Sequence, residues 1–385
     1  MEGHTMIWWH VYPLGFLGAE AEALPASAAP VPRLARLERW LDHGADLGCD
    51  GLALGPVFAS ETHGYDTVDH YRVDPRLGTE ADLVALVGAA SSRGLGVLLD
   101  GVFNHVGRSF AAPPGWLSGG TFEGHDRLAE LDHGNPEVVD HVAGVMAYWL
   151  ERGIAGWRLD AAYAVPVEFW RKVTDRLRPR FPDAWLVGEV IHGDYAAFTE
   201  KGGLDSVTQY ELWKAIWSSL NDRNLFELAW ALDRHNALLE TFAPLTFVGN
   251  HDVTRIASRL DEPRHLGAAL AVLFTVGGVP SVYAGDERGM RGVKEERAGG
   301  DDAIRPAFPD DPSLLPALTP GGEEVHRLHR ELIAFRRERP WLTRARTTVT
   351  ALTNTALSYR VSDGERAVEV TLDLENEPSW SVRPA

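Results

Sequence analysis

Residues 94–105 read GLGVLLDGVFNH, an apolar run from Val97 to Leu99 that breaks off at the carboxylate of Asp100 and ends on His105. A strand buried on both faces reads as a continuous apolar run, and an acid at its end marks the rim where it leaves the core. Seven further segments repeat the form: MIWWHVYP from Met6, CDGLALGPVF from Cys49, GWRLDAAY from Gly156, AWLVGEVI from Ala184, LDSVTQY from Leu204, PLTFVGNHD from Pro244 and GGVPSVYAGDE from Gly277. Stretches of helical period lie between them, at 32–47, 79–93, 136–152, 166–178, 225–241 and 262–275, with a last one at 322–339. Several open on Pro, Thr, Asp or Glu, as helix starts do. Eight strands alternating with helices make an α/β protein, a closed (β/α)8 TIM barrel whose chemistry sits in the loops at the C-terminal strand ends. The alternative is an open doubly wound sheet. No GxGxxG follows the first strand, which weighs against its dinucleotide-binding form.

Two segments depart from the alternation. Residues 105–135 are rich in Gly, Pro and His with little apolar period, and read as a short inserted loop or subdomain after strand 3. Residues 343–385 switch to β-type alternation, TTVTALTNTALSYRV and RAVEVTLDL around the turn SDGE, and read as a small C-terminal β domain on a catalytic barrel of residues 1–342. Residues 299–312, acidic and containing Pro, read as a surface loop.

The 385 residues are 45% hydrophobic and 24% charged, enough to bury a sizeable core. With 55 acidic against 37 basic side chains the net charge is −18, a field that repels phosphate backbones and anionic lipid. Neither nucleic acid nor membrane is expected as a partner. One cysteine, Cys49, fits a reducing compartment, and the start MEGHTMIWWHVYPLGF lacks the form of a signal peptide, so the expected location is cytoplasmic.

Four strand candidates end on acids: Asp100, Asp160, Glu189 and Asp252. A single one reads as a helix cap or a solvated loop carboxylate, but four on one barrel rim are hard to explain that way. Arg158 and Asp160 are two apart on one strand and face one side, so the guanidinium is expected to hold Asp160 ionised, the state a nucleophile needs. Glu189, on the next strand, would have to be protonated to act as a general acid. Two carboxylates with divergent environments are what a retaining glycosidase requires. His63, His105 and His251 accompany them; a metal site is the competing reading, against which no HxH or HxxxH pair occurs at these places.

At these residues the sequence resembles the α-amylase family, glycoside hydrolase family 13. DGVFNH, GWRLDAAY, GEV and FVGNHD resemble its four main motifs in order, with HGYD from His63 and the VPSVYAGDE ending also similar. The resemblance implies Asp160 as nucleophile, Glu189 as general acid/base and Asp252 as transition-state stabiliser. Arg158 would position Asp160, Asp100, His105 and His251 would bind hydroxyls of the sugar, and Tyr65 would stack on it with His63 alongside. Trp157 and Trp116 are candidates to line the cleft.

The departures bear on specificity. Tyr163 and Ala164 stand where starch-degrading members carry Lys-His, and LAELD stands for the motif often read LPDLN. The chemistry requires no cofactor; Asn104 matches a calcium ligand of those enzymes, but the short insertion puts that site in doubt. Ala161 leans toward α-1,4 bonds. The function read is a retaining hydrolase of α-glucosidic bonds in short oligosaccharides, a small carbohydrate being the partner. Competing readings are a transglycosylase or sugar isomerase of the same family and a catalytically silent sugar-binding member.

Overall fold

The computed structural model describes residues 6–297, 299–375 and 377–385. All eight apolar runs are strands: β1 Trp8–Val11, β2 Gly51–Leu54, β3 Gly96–Gly101, β4 Gly156–Leu159, β5 Trp185–Gly188, β6 Ser206–Val207, β7 Leu245–Thr246 and β8 Val279–Tyr283. They are hydrogen-bonded in the order β6-β5-β4-β3-β2-β1-β8-β7, every pair parallel, and a parallel bridge between Thr208 and Leu245 links the two ends into a barrel. The open-sheet alternative is thereby set aside.

Two apolar layers follow from the period of two along each strand. Trp8, Leu98, Trp185, Val187, Ala243 and Val279 form one cluster inside the barrel. It is a plug, with Trp8 stacked on Trp185 at 5.6 Å. Gly51 makes room for it, because a Cβ there would come within 2.1 Å of the Trp8 ring. Two residues further along the strands of Trp8, Leu98 and Val187, His10, Asp100 and Glu189 stand at the C-terminal end with Arg158 of β4 among them, so the plug supports the site from below. The second, larger cluster lies outside the strands, beneath the helices.

The helices include α1 Leu34–Glu38, α2 Leu41–Leu47, α3 Glu80–Ser92, α4 Pro136–Leu150, α5 Val167–Leu177, α6 Tyr210–Asn221, α7 Leu225–Leu238, α8 Leu266–Thr275 and α9 Gly322–Arg337. Thr79 and Asp82 close a capping box on α3, and Asn135 caps α4 ahead of Pro136, as those starts require. The sequence reading passes over α6, which begins where Gln209 accepts from the Leu212 N–H. Arg336 of α9 is fully buried and donates to the carbonyls of Phe274, Val276 and Gly278 at 3.0, 2.8 and 2.6 Å, capping the end of α8. Burial alone pushes its guanidinium down to about 9.

Residues 105–107, 117–121 and 128–131 of the inserted segment form a three-stranded antiparallel sheet. After residue 345 come four antiparallel strands, β9 Arg346–Leu352, β10 Ala356–Ser362, β11 Ala367–Asp373 and β12 Ser379–Pro384, in sequential order. The long run TTVTALTNTALSYRV is thus two strands: Thr353 Oγ1 accepts from the N–H groups of Thr355 and Ala356 and turns the chain between them. This sheet docks on α8, where Gly267 leaves space for the Trp380 indole. Among the described residues no helix is long and apolar enough to cross a membrane.

Candidate active site

β3, β4 and β5 are neighbours, and their register sets Asp100 beside Arg158 and Arg158 beside Val187, two residues before Glu189. One guanidinium therefore meets four carboxylates. Arg158 Nη1 lies 2.6 and 2.8 Å from the two Asp100 oxygens and 3.2 Å from Asp160 Oδ1, while Nη2 lies 2.6 Å from Glu189 Oε1 and 3.8 Å from Asp252 Oδ2. Asp100 is fully buried, and Asp160 and Glu189 nearly so. A charge removed from water this far must be paired, which explains why the arginine sits at the centre.

The pairing corrects one expectation. Arg158 engages Asp100 and Glu189 more closely than Asp160, and burial together with the neighbouring Glu189 carboxylate pushes Asp160 well above the ordinary carboxylate range against the pull of Arg158. Burial likewise raises Asp100 to about 6, again opposed by Arg158. Glu189 instead receives three donors: Arg158, the Tyr210 hydroxyl at 3.1 Å on Oε1 and the Ala161 N–H at 3.0 Å on Oε2. Ala161 reaches that position with a left-handed backbone, φ 44°, rare for a residue with a Cβ.

Tyr65 and His251 complete one wall. The Tyr65 hydroxyl donates to Asp100 Oδ2 at 3.1 Å and contacts His251 Nε2, which lies 3.1 Å from Asp252 Oδ2. The two rings stack at 5.5 Å. Burial holds the His251 imidazole well below its usual range and the Tyr65 phenol well above. His63 accepts from the Tyr65 N–H through Nδ1 at 3.3 Å and lines a cleft of about 440 Å³ together with Tyr65 and Arg305. His105 is placed one layer back: its ring nitrogens lie 3.0 Å from the Tyr65 carbonyl and 3.1 Å from the Asn104 amide, and burial lowers it to about 4. It enters the site by fixing Tyr65.

Other expectations change. Trp157 is fully buried on the outer side of β4, its indole N–H directed at the Met146 carbonyl at 3.4 Å, so it is core and not cleft. Trp116 donates to Glu137 and packs on His141, away from the four carboxylates. Residues 299–312 are not merely a surface loop. Arg305 of that loop donates to Asp252 Oδ1 at 2.9 Å and to the His251 carbonyl at 2.8 Å, pairs with Asp301 at 3.0 Å, and lies over the Tyr12 ring. Burial raises Asp252, and Arg305 opposes the rise.

Arg305, Tyr210 and Asn250, which donates to the Tyr210 hydroxyl at 2.9 Å, were not foreseen. Asn250 lies inside FVGNHD, and Arg305 follows Asp301 by four residues; those were the available signals. Asn104 is buried with its amide turned to His105. Among the described residues no group of three or more His, Cys, Asp or Glu side chains is gathered to hold a metal ion, and no step below passes through calcium.

With this geometry in view, the comparisons are specific. The family model for the α-amylase catalytic domain matches residues 35–115 and 121–313, and the chain belongs to the α-amylase family. A cyclomaltodextrinase of Geobacillus thermopakistaniensis (strain MAS1) is 27% identical over 98% of this chain and 70% of its own length. A cyclomaltodextrinase of Thermoanaerobacter pseudethanolicus is 30% identical over 66% of this chain and 50% of its own. Several of the curated relatives are thus matched over only half to two thirds of their length. Among solved structures, the cyclic α-maltosyl-(1→6)-maltose hydrolase of Arthrobacter globiformis, in complex with its cyclic sugar, superposes with a TM-score of 0.81 at 25% identity, covering 99% of this chain and 98% of that one.

Proposed function

We propose that the protein is a retaining glycoside hydrolase that cleaves α-glucosidic bonds of short oligosaccharides through a covalent glycosyl-enzyme intermediate. The observation that carries the reading is the single Arg158 guanidinium shared by Asp100, Asp160 and Glu189. Sharing one cation favours the short separation, about 5 to 5.5 Å, of a nucleophile and acid pair over the wider spacing of inverting enzymes. The relatives support the substrate class: they are cyclomaltodextrinases, an intracellular maltogenic amylase of Bacillus subtilis and a hydrolase solved with maltose. A cytoplasmic site of action and the lack of a required cofactor belong to the same reading.

The acidic cluster defines the proton problem. Four carboxylates face two guanidiniums, Arg158 and Arg305, so the site holds a proton readily. Attack requires Asp160 ionised and Glu189 protonated. A glycosidic oxygen placed at Glu189 accepts a hydrogen bond only from the protonated acid, so substrate binding selects that arrangement and one of the donors now on Glu189 is given up. Asp160 then forms the glycosyl ester as Glu189 protonates the leaving oxygen, and Glu189 next takes a proton from water for the second displacement. Asp252, held by Arg305 and His251, accepts ring hydroxyls more strongly as positive charge develops. Tyr65 offers its ring to the sugar C–H face.

The inserted segment is short, so the cleft suits small substrates. Incubation with maltose, isomaltose, trehalose, sucrose, maltotetraose, pullulan and starch, with the anomer of the first product read by NMR, tests the proposal. The expected product is the α-anomer, formed fastest from di- to tetrasaccharides. A β-anomer, or viscosity of starch falling well before reducing ends accumulate, would oppose it.

A further inference from the structure

Gly285, Asp286 and Glu287 close the run VPSVYAGDE and form the turn after β8, with Gly285 at φ 95°. The two acids engage different elements. Glu287 accepts from the Gly285 N–H at 2.7 Å and lies 2.9 Å from His43 Nε2 of α2, which ties the turn to that helix. Asp286 accepts from Arg255 Nη1 at 2.8 Å, both side chains being almost wholly excluded from water. Its other oxygen fills the space beside Gly249 of FVGNHD, where a Cβ would come within 2.2 Å of it. Arg255 lies over the Tyr283 ring at 4.4 Å. It donates through Nη1 to the Ala284 carbonyl and through Nη2 to the Ile304 carbonyl, both at 2.9 Å. The Tyr283 hydroxyl donates to the same Ile304 oxygen at 2.9 Å.

Ile304 is the residue before Arg305, whose guanidinium holds Asp252. That grip needs a fixed backbone at 304–305. The Ile304 N–H donates to the Asp301 carbonyl at 3.0 Å, and its carbonyl receives the two donors just named. A buried ion pair adds little net stability, because desolvation of both charges offsets their attraction. What the Arg255–Asp286 pair adds is direction: Asp286 takes Nη1 of the planar guanidinium and leaves Nη2 aimed at Ile304. Arg255 stands three residues after Asp252, and its own N–H donates to the Gly292 carbonyl at 3.0 Å. It therefore joins the segment of Asp252 to the loop of Arg305 at two points.

We propose that Arg255, oriented by Asp286, is a positioning residue: through the Ile304 carbonyl it sets the place of Arg305 and hence the grip of Arg305 on Asp252. The proposal rests on the retaining-hydrolase reading above. The competing role is a core clamp that holds the fold together and does nothing to Asp252.

Asp252 faces Arg305, Glu189, Arg158, Lys294 and His251, and among these Arg305 pulls it most strongly toward the anion. A displaced Arg305 therefore moves the acid limb of kcat/KM upward, whereas a loosened core lowers the melting temperature without moving that limb. In the full chain, R255M/D286N removes both buried charges together, so that neither is left unpaired. It should lower kcat/KM on an aryl α-maltoside by at least about fivefold and shift the acid limb upward. In an R305Q background the same two changes should cost no more than about twofold, because the residue they act through is already gone. A smaller loss, an unmoved limb, or a cost above about twofold in the R305Q background would overturn the positioning role and leave the hydrolase reading standing. A wild-type chain that turns over no α-glucoside would sink both. If R255M/D286N fails to fold, R255K carries the same test, since one ammonium cannot serve Asp286 and Ile304 as the forked guanidinium does.

Discussion

Arg305→Gln removes the cation that Asp252 depends on most directly. Arg305 Nη2 stands 2.9 Å from Asp252 Oδ1, with the two side chains 10% and 29% exposed. Unit charges at that distance interact by about 6 kcal/mol at an effective dielectric of about 20. Part of this is offset by the exposure of Asp252 and by Arg158, which remains 3.8 Å from its other oxygen. About 2 to 3 kcal/mol of transition-state stabilisation is then lost, or about 30- to 150-fold in kcat/KM. The pH dependence carries the sign. Asp252 acts as the anion, burial already raises it, and Arg305 is the largest influence lowering it. Without the guanidinium it is neutral up to a higher pH, so the acid limb of kcat/KM moves upward. The assay is kcat/KM on an aryl α-maltoside from pH 4 to 9, with circular dichroism and melting to confirm the fold. A loss below about threefold, or a large loss with an unmoved acid limb, would mean that Arg305 only packs its loop against Tyr12.

Three further outcomes follow from other parts of the molecule. Glu189→Gln should still form the intermediate from substrates with activated leaving groups and then stall; azide should restore turnover, and because two displacements occur the product is the α-azide, whereas a β-azide would contradict the assignment. Arg336→Met leaves three buried carbonyls without their donor and should cost about 3 to 5 kcal/mol in urea unfolding; a cost under about 1 kcal/mol would show that other groups replace it. His235 is buried and lowered to about 4 from 6.5, chiefly by burial. The unfolded chain therefore takes a proton that the native chain refuses within that window, and stability falls as pH drops through it. His235→Gln should make the slope shallower by about 1.4 kcal/mol per pH unit between these values, and an unchanged slope would show that the native imidazole is charged.

The barrel was legible because its strands are buried on both sides. Runs such as Val97 to Leu99 have no period to obscure them, and four of the eight segments end on a carboxylate that needs a partner once buried. Asp100, Arg158, Asp160, Glu189, His251 and Asp252 could be read from the same strand ends, since a strand fixes the direction of its side chains two residues at a time. What escaped was set by tertiary pairing. Arg305 belongs to a polar loop whose sequence looks solvated, and only the approach of that loop to Asp252 buries it. Trp157 lies between Gly156 and Arg158, but alternation turns it outward into the core when its neighbour Arg158 turns inward. The choice of Arg158 to bind Asp100 and Glu189 more tightly than Asp160 depends on distances across three strands, which a two-residue spacing on one strand does not contain. The break in β9 and β10 depends on a threonine side chain that competes for backbone N–H groups, a local preference weaker than the β-type alternation around it.

Trapping the intermediate tests the central claim most directly. Incubation with 5-fluoro-α-glucosyl fluoride slows both steps, the second more, and should add one fluoroglucosyl group per chain. Peptide mapping by mass spectrometry should then place the ester on Asp160, within the peptide GWRLDAAY, and Asp160→Asn should take up no label. Full turnover without any covalent adduct, or an adduct on a different carboxylate such as Asp100 or Glu189, would contradict the assignment of Asp160 as nucleophile.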